Sequence, residues 1–409
     1  MDFRLTPKAE ELRSRVAAFL ERHVLPIEPE LLQERELRPT IEEPYPPRMR
    51  ALRAIARGEG LWNLFLPDRR YGAGLTNAEY APACEVMGRS PVASEVFNCA
   101  APDTGNTEIL AEFGSEEQKK EWLEPLLAGA IRSCFSMTER EVSGADPTGL
   151  TTRAVRDGDH WVIDGSKWFT SGAYGARFAI AMVVTSPEAP RHQRMSQIIV
   201  PTDAPGFHVV RAIPVMGHSG GSGHCEVRYE GCRVPARNLL GPEGAGFAIA
   251  QARLGPGRVH HCMRAIGAAE RAIEMMCRRA NERVAFGGPL GEKQFVQDMI
   301  ARSRMEVDQA RLLTLYAAWK MDTAGKRESR QEIAMIKVVA ANVYMKVIDR
   351  AIQVFGAAGV SDDTPLALLW RQGRMLRIGD GPDEVHKMVI ARRELARFPA
   401  VDRPAGAAS

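Results

Sequence analysis

Carboxylates in turns and clustered histidines are the residues of this chain whose types and spacing suit chemistry, and Asp380 is the foremost. It stands between two glycines in "IGDGPDEVHK", residues 378–387. A carboxylate in such a turn could act as a base, a reading that needs a pocket, a cofactor and an acidic substrate proton beside it. The same residues also read as punctuation before a helix. Pro382 suits the first helical position, and Asp383 and Glu384 suit the first turn, where acids meet the positive end of the helix dipole. On spacing alone, turn punctuation is the commoner fate of an aspartate like Asp380. "HHC" at 260–262 offers metal-ligand types, but three adjacent helical residues point in different directions and no second cluster complements them, so no metal is expected. The seven cysteines, Cys84, Cys99, Cys134, Cys225, Cys232, Cys262 and Cys277, are dispersed without a C-x-x-C pair, as fits a reducing, cytoplasmic setting.

The motifs that are missing narrow the chemistry. No G-x-G-x-x-G follows a predicted strand, and neither G-x-x-x-x-G-K-[ST] nor H-E-x-x-H occurs. "GHSGGSGH" and "GPEGAGF" lack the strand-to-helix setting in which glycines cradle phosphates, so a nicotinamide or nucleotide fold of the usual kind is not expected. The 54 basic and 51 acidic residues are interspersed, so no nucleic acid partner is expected. The N-terminus has an acid at position 2 and no apolar core after a basic start, and "FAIAMVV" at 178–184 is too short to cross a bilayer. Neither a secretory signal nor membrane insertion is expected.

With 409 residues, 45% of them hydrophobic, the chain has room for two or three cores to position these side chains. "TPKAEELRSRVAAFLERHVLP" opens with a Thr cap and Pro7, then repeats Leu12, Val16, Phe19, Leu20 and Val24 at helical spacing. Further helices are predicted at about 46–58, 77–89, 104–113 and 115–129. Between about 133 and 237 come short β-like runs, one pair joined by Asp157-Gly158, with no helix-length segment between them. Such runs predict a mainly antiparallel sheet. After Gly244 long helices return: one whose apolar face runs from Val259 to Cys277, then others at about 293–323, 328–355 and 382–396. The expected fold is multidomain α and β: an N-terminal helical domain (1–131), a central antiparallel β domain (132–240) and a C-terminal helical bundle of four-helix type (241–409).

Several segments, in order and at matching spacing, carry a resemblance. "FGSEEQKKEWLEPLLAGAIRSCFSMTE", "WVIDGSKWFTSGA", "RVPARNLLGPEGAGF", "ERVAFGGPLGEKQ" and "AIQVFGAAGV" make the chain similar to the flavin-dependent acyl-CoA dehydrogenase family over about residues 5–398. The resemblance implies FAD as cofactor, an acyl-CoA substrate, an electron-transfer flavoprotein as electron acceptor, and a homodimer or homotetramer. It implies that Phe135, Met137 and Thr138 lie along the isoalloxazine, that Trp168 and Thr170 approach from its second side, and that Ala145 touches both flavin and substrate. Arg283, Phe286 and Gln294 would meet the FAD pyrophosphate and adenosine. Gln353 and Gly356 would form a second such contact, usually lent by a neighbouring subunit, and Glu384 would lie near the flavin. Gly255, Arg258 and Gly381 match substrate contacts. Read from the residues alone, Phe135 and Trp168 are also ordinary core aromatics, and Arg283 an ordinary helix-end cation. Arg258, taken as the head of its helix, is poorly placed for the dipole, which favours a functional reason.

In most of the resembled family the base is the glutamate of a Glu-Gly-Thr loop, and Asp380-Gly381-Pro382 occupies that position here. The resemblance therefore implies that Asp380 removes the proton alpha to the thioester while hydride leaves the beta carbon for flavin N5. Aspartate reaches about 1.5 Å less far than glutamate. "DGPDEVH" resembles the subgroup containing the dehydrogenase domain of family members ten and eleven, where aspartate holds the base position. Other branches place a glutamate just before the residue matching Arg258; Gly257 stands there, so no substitute base is evident. Two alternatives stay open: a flavin oxidase of a small carbon acid, similar to the nitroalkane oxidases, and a non-catalytic flavin or acyl-CoA binding protein.

Overall fold

The computed structural model describes residues 4–398; the outer ends of the first and last expected segments, 1–3 and 399–409, lie outside the described residues. Helix α1 (Pro7–Phe19) starts where its cap predicts, the Thr6 hydroxyl accepting from the Ala9 N–H at 3.2 Å with Pro7 at the first position. Helices α2 (Pro47–Gly58), α3 (Asn77–Gly88) and α4 (Asp103–Phe113) follow, α3 opened by a capping box between Thr76 and Glu79.

Eight strands then form one sheet: β1 (Arg132–Ser136), β2 (Arg153–Asp157), β3 (His160–Ser171), β4 (Ala176–Val184), β5 (Met195–Pro201), β6 (Phe207–Ala212), β7 (His224–Pro235) and β8 (Leu239–Leu240). They are ordered β6-β7-β3-β2-β4-β5-β8, with β1 also paired to β4. Most pairings are antiparallel, but β1 and β2 each meet β4 in parallel, so the sheet is mixed. Both reach β4 through long connections rather than hairpins, as parallel neighbours require. Along β4 the side chains alternate between two cores. Ala179, Ala181 and Val183 pack with β3 and β7 residues, whereas Phe178 and Ile180 pack with Ile109, Leu110 and Trp122 of the N-terminal helices. Coverage on both faces explains the unbroken apolar run "FAIAMVV", which reads as a buried strand.

The remainder is a helical bundle: α5 (Gly246–Glu282), α6 (Gln294–Glu328), α7 (Arg330–Phe355), α8 (Leu366–Leu376) and α9 (Asp383–Ala396). A small hairpin, β9 (Val284–Ala285) with β10 (Gly288–Pro289), joins α5 to α6. One core unites α1, α3, α5, α6 and α7. The backbones of α3 and α5 approach so closely that a Cβ on Gly267 would sit 1.8 Å from the Glu85 carbonyl, and one on Gly88 would sit 2.1 Å from that of Arg264.

In the helical regions two expectations are corrected and one element is added. Arg258 is deep inside α5, not at its head, because the helix runs through Gly255-Pro256-Gly257. Those residues read as a breaker by propensity, yet Gly255 and Pro256 are buried, and packing overrides the lost hydrogen bond. Pro382 is the extended cap residue before α9 rather than its first helical residue. The short helix α8, whose Leu366 and Leu369 are buried, was not anticipated from so brief an apolar run. Among the described residues, no helix is long and apolar enough to cross a membrane.

Candidate active site

The turn between α8 and α9 is held by side chains from three helices. Asp380 and Gly381 both take left-handed backbone conformations, with φ of 55° and 101°. The Asp380 carbonyl accepts from Arg258 Nε on α5 at 3.1 Å and from His386 Nε2 on α9 at 3.2 Å. From α7, the fully buried Lys337 donates to the carbonyls of Leu376 and, at 3.3 Å, of Gly381. Asp383 is buried, and its Oδ2 accepts from Arg377 Nε and Asn342 Nδ2, each at 2.9 Å. A left-handed aspartate costs conformational energy and persists only where its surroundings fix it, as these bonds do.

The Asp380 carboxylate faces α5. Its Oδ2 lies 3.2 Å from Nε2 of His261. The other ring nitrogen of His261, Nδ1, lies 3.0 Å from Nη2 of Arg264. Burial pushes the Asp380 carboxyl up, but His261, Arg253, Arg258 and Lys337 outweigh it and leave the group below its ordinary value, ionised at neutral pH. Burial and then Arg264 push His261 down to about 4, so its imidazole is neutral there. The next histidine, His260, points elsewhere, buried edge-on against Tyr80 with ring centroids 5.0 Å apart.

Arg253, one more residue of α5, links this turn to the sheet. Its guanidinium lies 4.2 Å from the ring centroid of Phe135 on β1 and its Nε donates to Asn106 at 3.2 Å. Just past β1, Thr138 and Trp168 are cross-bonded: the Trp168 N–H donates to the Thr138 carbonyl at 2.7 Å, and the Thr138 hydroxyl donates to the Trp168 carbonyl. Met137 is partly buried against Phe247, Leu150 and their neighbours. The guanidiniums of Arg140 and Arg211 flank the Trp168 ring at 5.3 and 5.2 Å. Thr170 is fully buried, its hydroxyl 3.2 Å from that of Ser136, while Ala145 is exposed in the loop between β1 and β2.

The remaining expected site residues lie at the opposite end of the bundle. Arg283 caps the C-terminus of α5, Phe286 tips the β9–β10 hairpin, Gln294 begins α6, and Gln353 and Gly356 end α7. Arg279 lies over the ring of Phe355 at 5.5 Å, which brings these two ends together. Phe286 is 98% exposed with φ of 51°. Arg258 and Arg283 share one helix and stand twenty-five residues apart, about 38 Å at 1.5 Å per residue. Glu384 is exposed in the first turn of α9, whereas Gly255 is buried within α5.

Sequence reasoning missed His261, Arg253, Lys337 and His386. One signal was available: Arg258, His261 and Arg264 recur every third residue along the helix, which puts them on neighbouring positions of its surface. Lys337 and His386 left no such mark, since only the packing of α7 and α9 brings them to the turn.

Three family descriptions match the chain in succession: acyl-CoA dehydrogenase N-terminal domain over residues 6–130, middle domain over 134–232, and C-terminal domain over 244–395. The chain belongs to the acyl-CoA dehydrogenase family. Like that family, it is an FAD-dependent oxidoreductase. It is 54% identical to a Mycobacterium tuberculosis protein named probable acyl-CoA dehydrogenase FadE2, covering 97% of this chain and 98% of that one. It is 49% identical to mouse acyl-CoA dehydrogenase family member 10, covering 98% of this chain but only 38% of that longer protein. In the solved structure of butyryl-CoA dehydrogenase from Megasphaera elsdenii, 27% identical, the fold matches with a TM-score of 0.82 over 97% of this chain and all of the other. The family's cofactor fits the residues present. Phe135 and Met137 offer an apolar shelf at the sheet, while exposed Arg283, Gln294 and Gln353, with an aromatic ring held out on a left-handed turn, suit a phosphate and a base.

Proposed function

We propose that this chain dehydrogenates an acyl-CoA thioester between its alpha and beta carbons, with Asp380 as the base. The observation that carries this reading is the Asp380 carboxylate itself: ionised, held on a fixed left-handed turn, and ringed by His261, Arg253 and Arg258 of α5 and Lys337 of α7. Those cations and donors keep the group charged, the form that accepts a proton, and they hold its basicity below what burial alone would give. Arg258 fixes the backbone of the proposed base by donating to the Asp380 carbonyl. Phe135 and Met137 would support the flavin ring, with Thr138, Thr170, Trp168, Ala145 and Glu384 around it, and Gly255 and Gly381 would meet the substrate. When bound, FAD supplies the hydride acceptor, N5 of the ring.

The separation of the two residue groups supports a homo-oligomer. Arg283 stands about 38 Å along α5 from Arg258, which favours its serving, with Phe286, Gln294, Gln353 and Gly356, a neighbouring subunit's cofactor. An exposed apolar face on α6, formed by Met305, Leu312, Tyr316 and Trp319, suits such an assembly. An electron-transfer flavoprotein would then reoxidise the flavin. Seven free cysteines, six of them buried, support a cytoplasmic setting.

The test is anaerobic titration of the purified holoprotein with butyryl-, octanoyl- and palmitoyl-CoA. One of these should bleach the flavin in the wild type, and Asp380→Asn should keep its FAD yet lose bleaching by at least about a thousandfold. Unchanged bleaching in that variant would remove Asp380 as the base. Stoichiometric peroxide with a small carbon acid, and none of the thioesters reacting, would replace the dehydrogenase reading with an oxidase.

A further inference from the structure

Resting on Asp380 as the base, we propose that His261 is its positioning residue, a neutral imidazole that presents Nε2–H to one carboxylate oxygen and leaves the other for the substrate proton. Arg264 decides the tautomer. Its guanidinium is a donor only, and Nη2 lies 3.0 Å from His261 Nδ1, so Nδ1 accepts and the ring proton sits on Nε2. That nitrogen is 3.2 Å from Asp380 Oδ2. Arg264 is itself fixed, with Nη1 3.5 Å from the Cys99 carbonyl and its backbone pressed against Gly88. A relay of three groups thus runs from the α3–α5 contact to the base, and two of them, His261 and Arg264, lie one helical turn apart on α5.

The function follows from the aspartate's own geometry. Its backbone carbonyl is clamped by Arg258 and His386, but those bonds leave the carboxylate free to rotate about its side-chain torsions. His261 fixes that rotation. When the alpha C–H bond breaks and its proton joins Oδ1, the carboxylate becomes a neutral acid, and the imidazole stays neutral throughout. His261 therefore moves no proton. It sets the direction of the accepting oxygen and lowers the basicity of the carboxylate somewhat.

Every titratable or charged group around the base belongs to this balance: Arg253, Arg258, His261, Cys262 and Arg264 on α5, Lys337 on α7, and Asp383 and His386 on α9. Among the described residues, His261 is the one histidine, lysine or arginine of these with a side-chain nitrogen within 4.0 Å of the carboxylate oxygens.

The experiment follows anaerobic flavin reduction against pH, using whichever of the three acyl-CoAs reduces the wild-type holoprotein fastest. In His261→Leu the acidic limb should move up by about one pH unit and the limiting rate should fall about tenfold or more, with FAD content unchanged. In His261→Gln, whose amide also donates, both should return to within about threefold of wild type. An acidic limb unmoved in His261→Leu overturns the proposal. If His261→Leu does not fold, nitrogen-15 spectra of histidine-labelled wild type decide: protonated Nε2 and bare Nδ1 are expected, and the reverse tautomer overturns the proposal. Asp380→Asn separates the two readings. If it still reduces flavin, the base reading fails; if it is inactive while His261→Leu keeps the wild-type limb, only the His261 role fails.

Discussion

At the scale of single residues, the proposed base Asp380 sits on a turn whose path is set by its backbone. The backbone there takes φ of 55° at Asp380 and 101° at Gly381, and the carboxylate lies 3.2 Å from His261 of α5. Gly381 is indispensable to that path: a Cβ there would meet His386 Nε2 at 2.9 Å, in a conformation L-residues rarely adopt. Gly381→Ala should therefore destabilise the fold by about 1–3 kcal/mol and slow flavin reduction more than tenfold. A thermal melt beside stopped-flow reduction would check both, and a variant with wild-type melting and rate would show the turn to be tolerant. His261 illustrates the limit of local reading. By type it suggested a metal ligand, and only the neighbours at 3.0 and 3.2 Å reveal its setting.

At the scale of elements, the sheet is tied to the loop after β1 by a buried ion pair. Glu139 accepts from the Thr151 and Thr152 N–H groups at 2.8 and 2.9 Å and from Lys167 Nζ of β3 at 2.9 Å. Burial pushes the Glu139 carboxyl up, but Lys167 and these bonds overcome it and bring the group down to about 2. Burial likewise lowers Lys167 to about 8, so it is still charged at pH 7. Glu139→Ala leaves that cation buried and alone, and should cost about 3–5 kcal/mol in a urea melt at pH 7. The sign with pH is fixed by the lowered carboxyl. Its contribution is complete above the ordinary value of 4.5 and is lost as pH falls toward about 2, so wild type and variant should converge in acid. A gap that stays at its neutral-pH size as pH falls through 3 to about 2 would contradict this. Since Thr138 and Trp168 flank the pair, the variant should also bind FAD more weakly.

For the whole molecule, the decisive fact is the length of α5, which puts Arg258 beside Asp380 and Arg283 about 38 Å along the helix from Arg258. If each end serves a different subunit's cofactor, Arg283→Ala and Asp380→Asn chains should both be inactive alone but complement when co-expressed. About a quarter of the sites in random dimers would then be intact, read as recovered thioester-dependent bleaching. Hybrids that form without recovery would place Arg283 and Asp380 on the same site. The sequence by itself determined the order of helices, sheet and helices, because hydrophobic period, caps such as Thr6 and Thr76, and turns such as Asp157-Gly158 are local signals. It also determined the family, because several motifs stand in register. It did not determine that α5 runs through Gly255-Pro256-Gly257, since burial there outweighs propensity. Nor did it reveal the surroundings of Asp380. Lys337, His386 and Arg253 come to that turn from residues far apart in the chain, and only the packing of α5, α7 and α9 brings them together there.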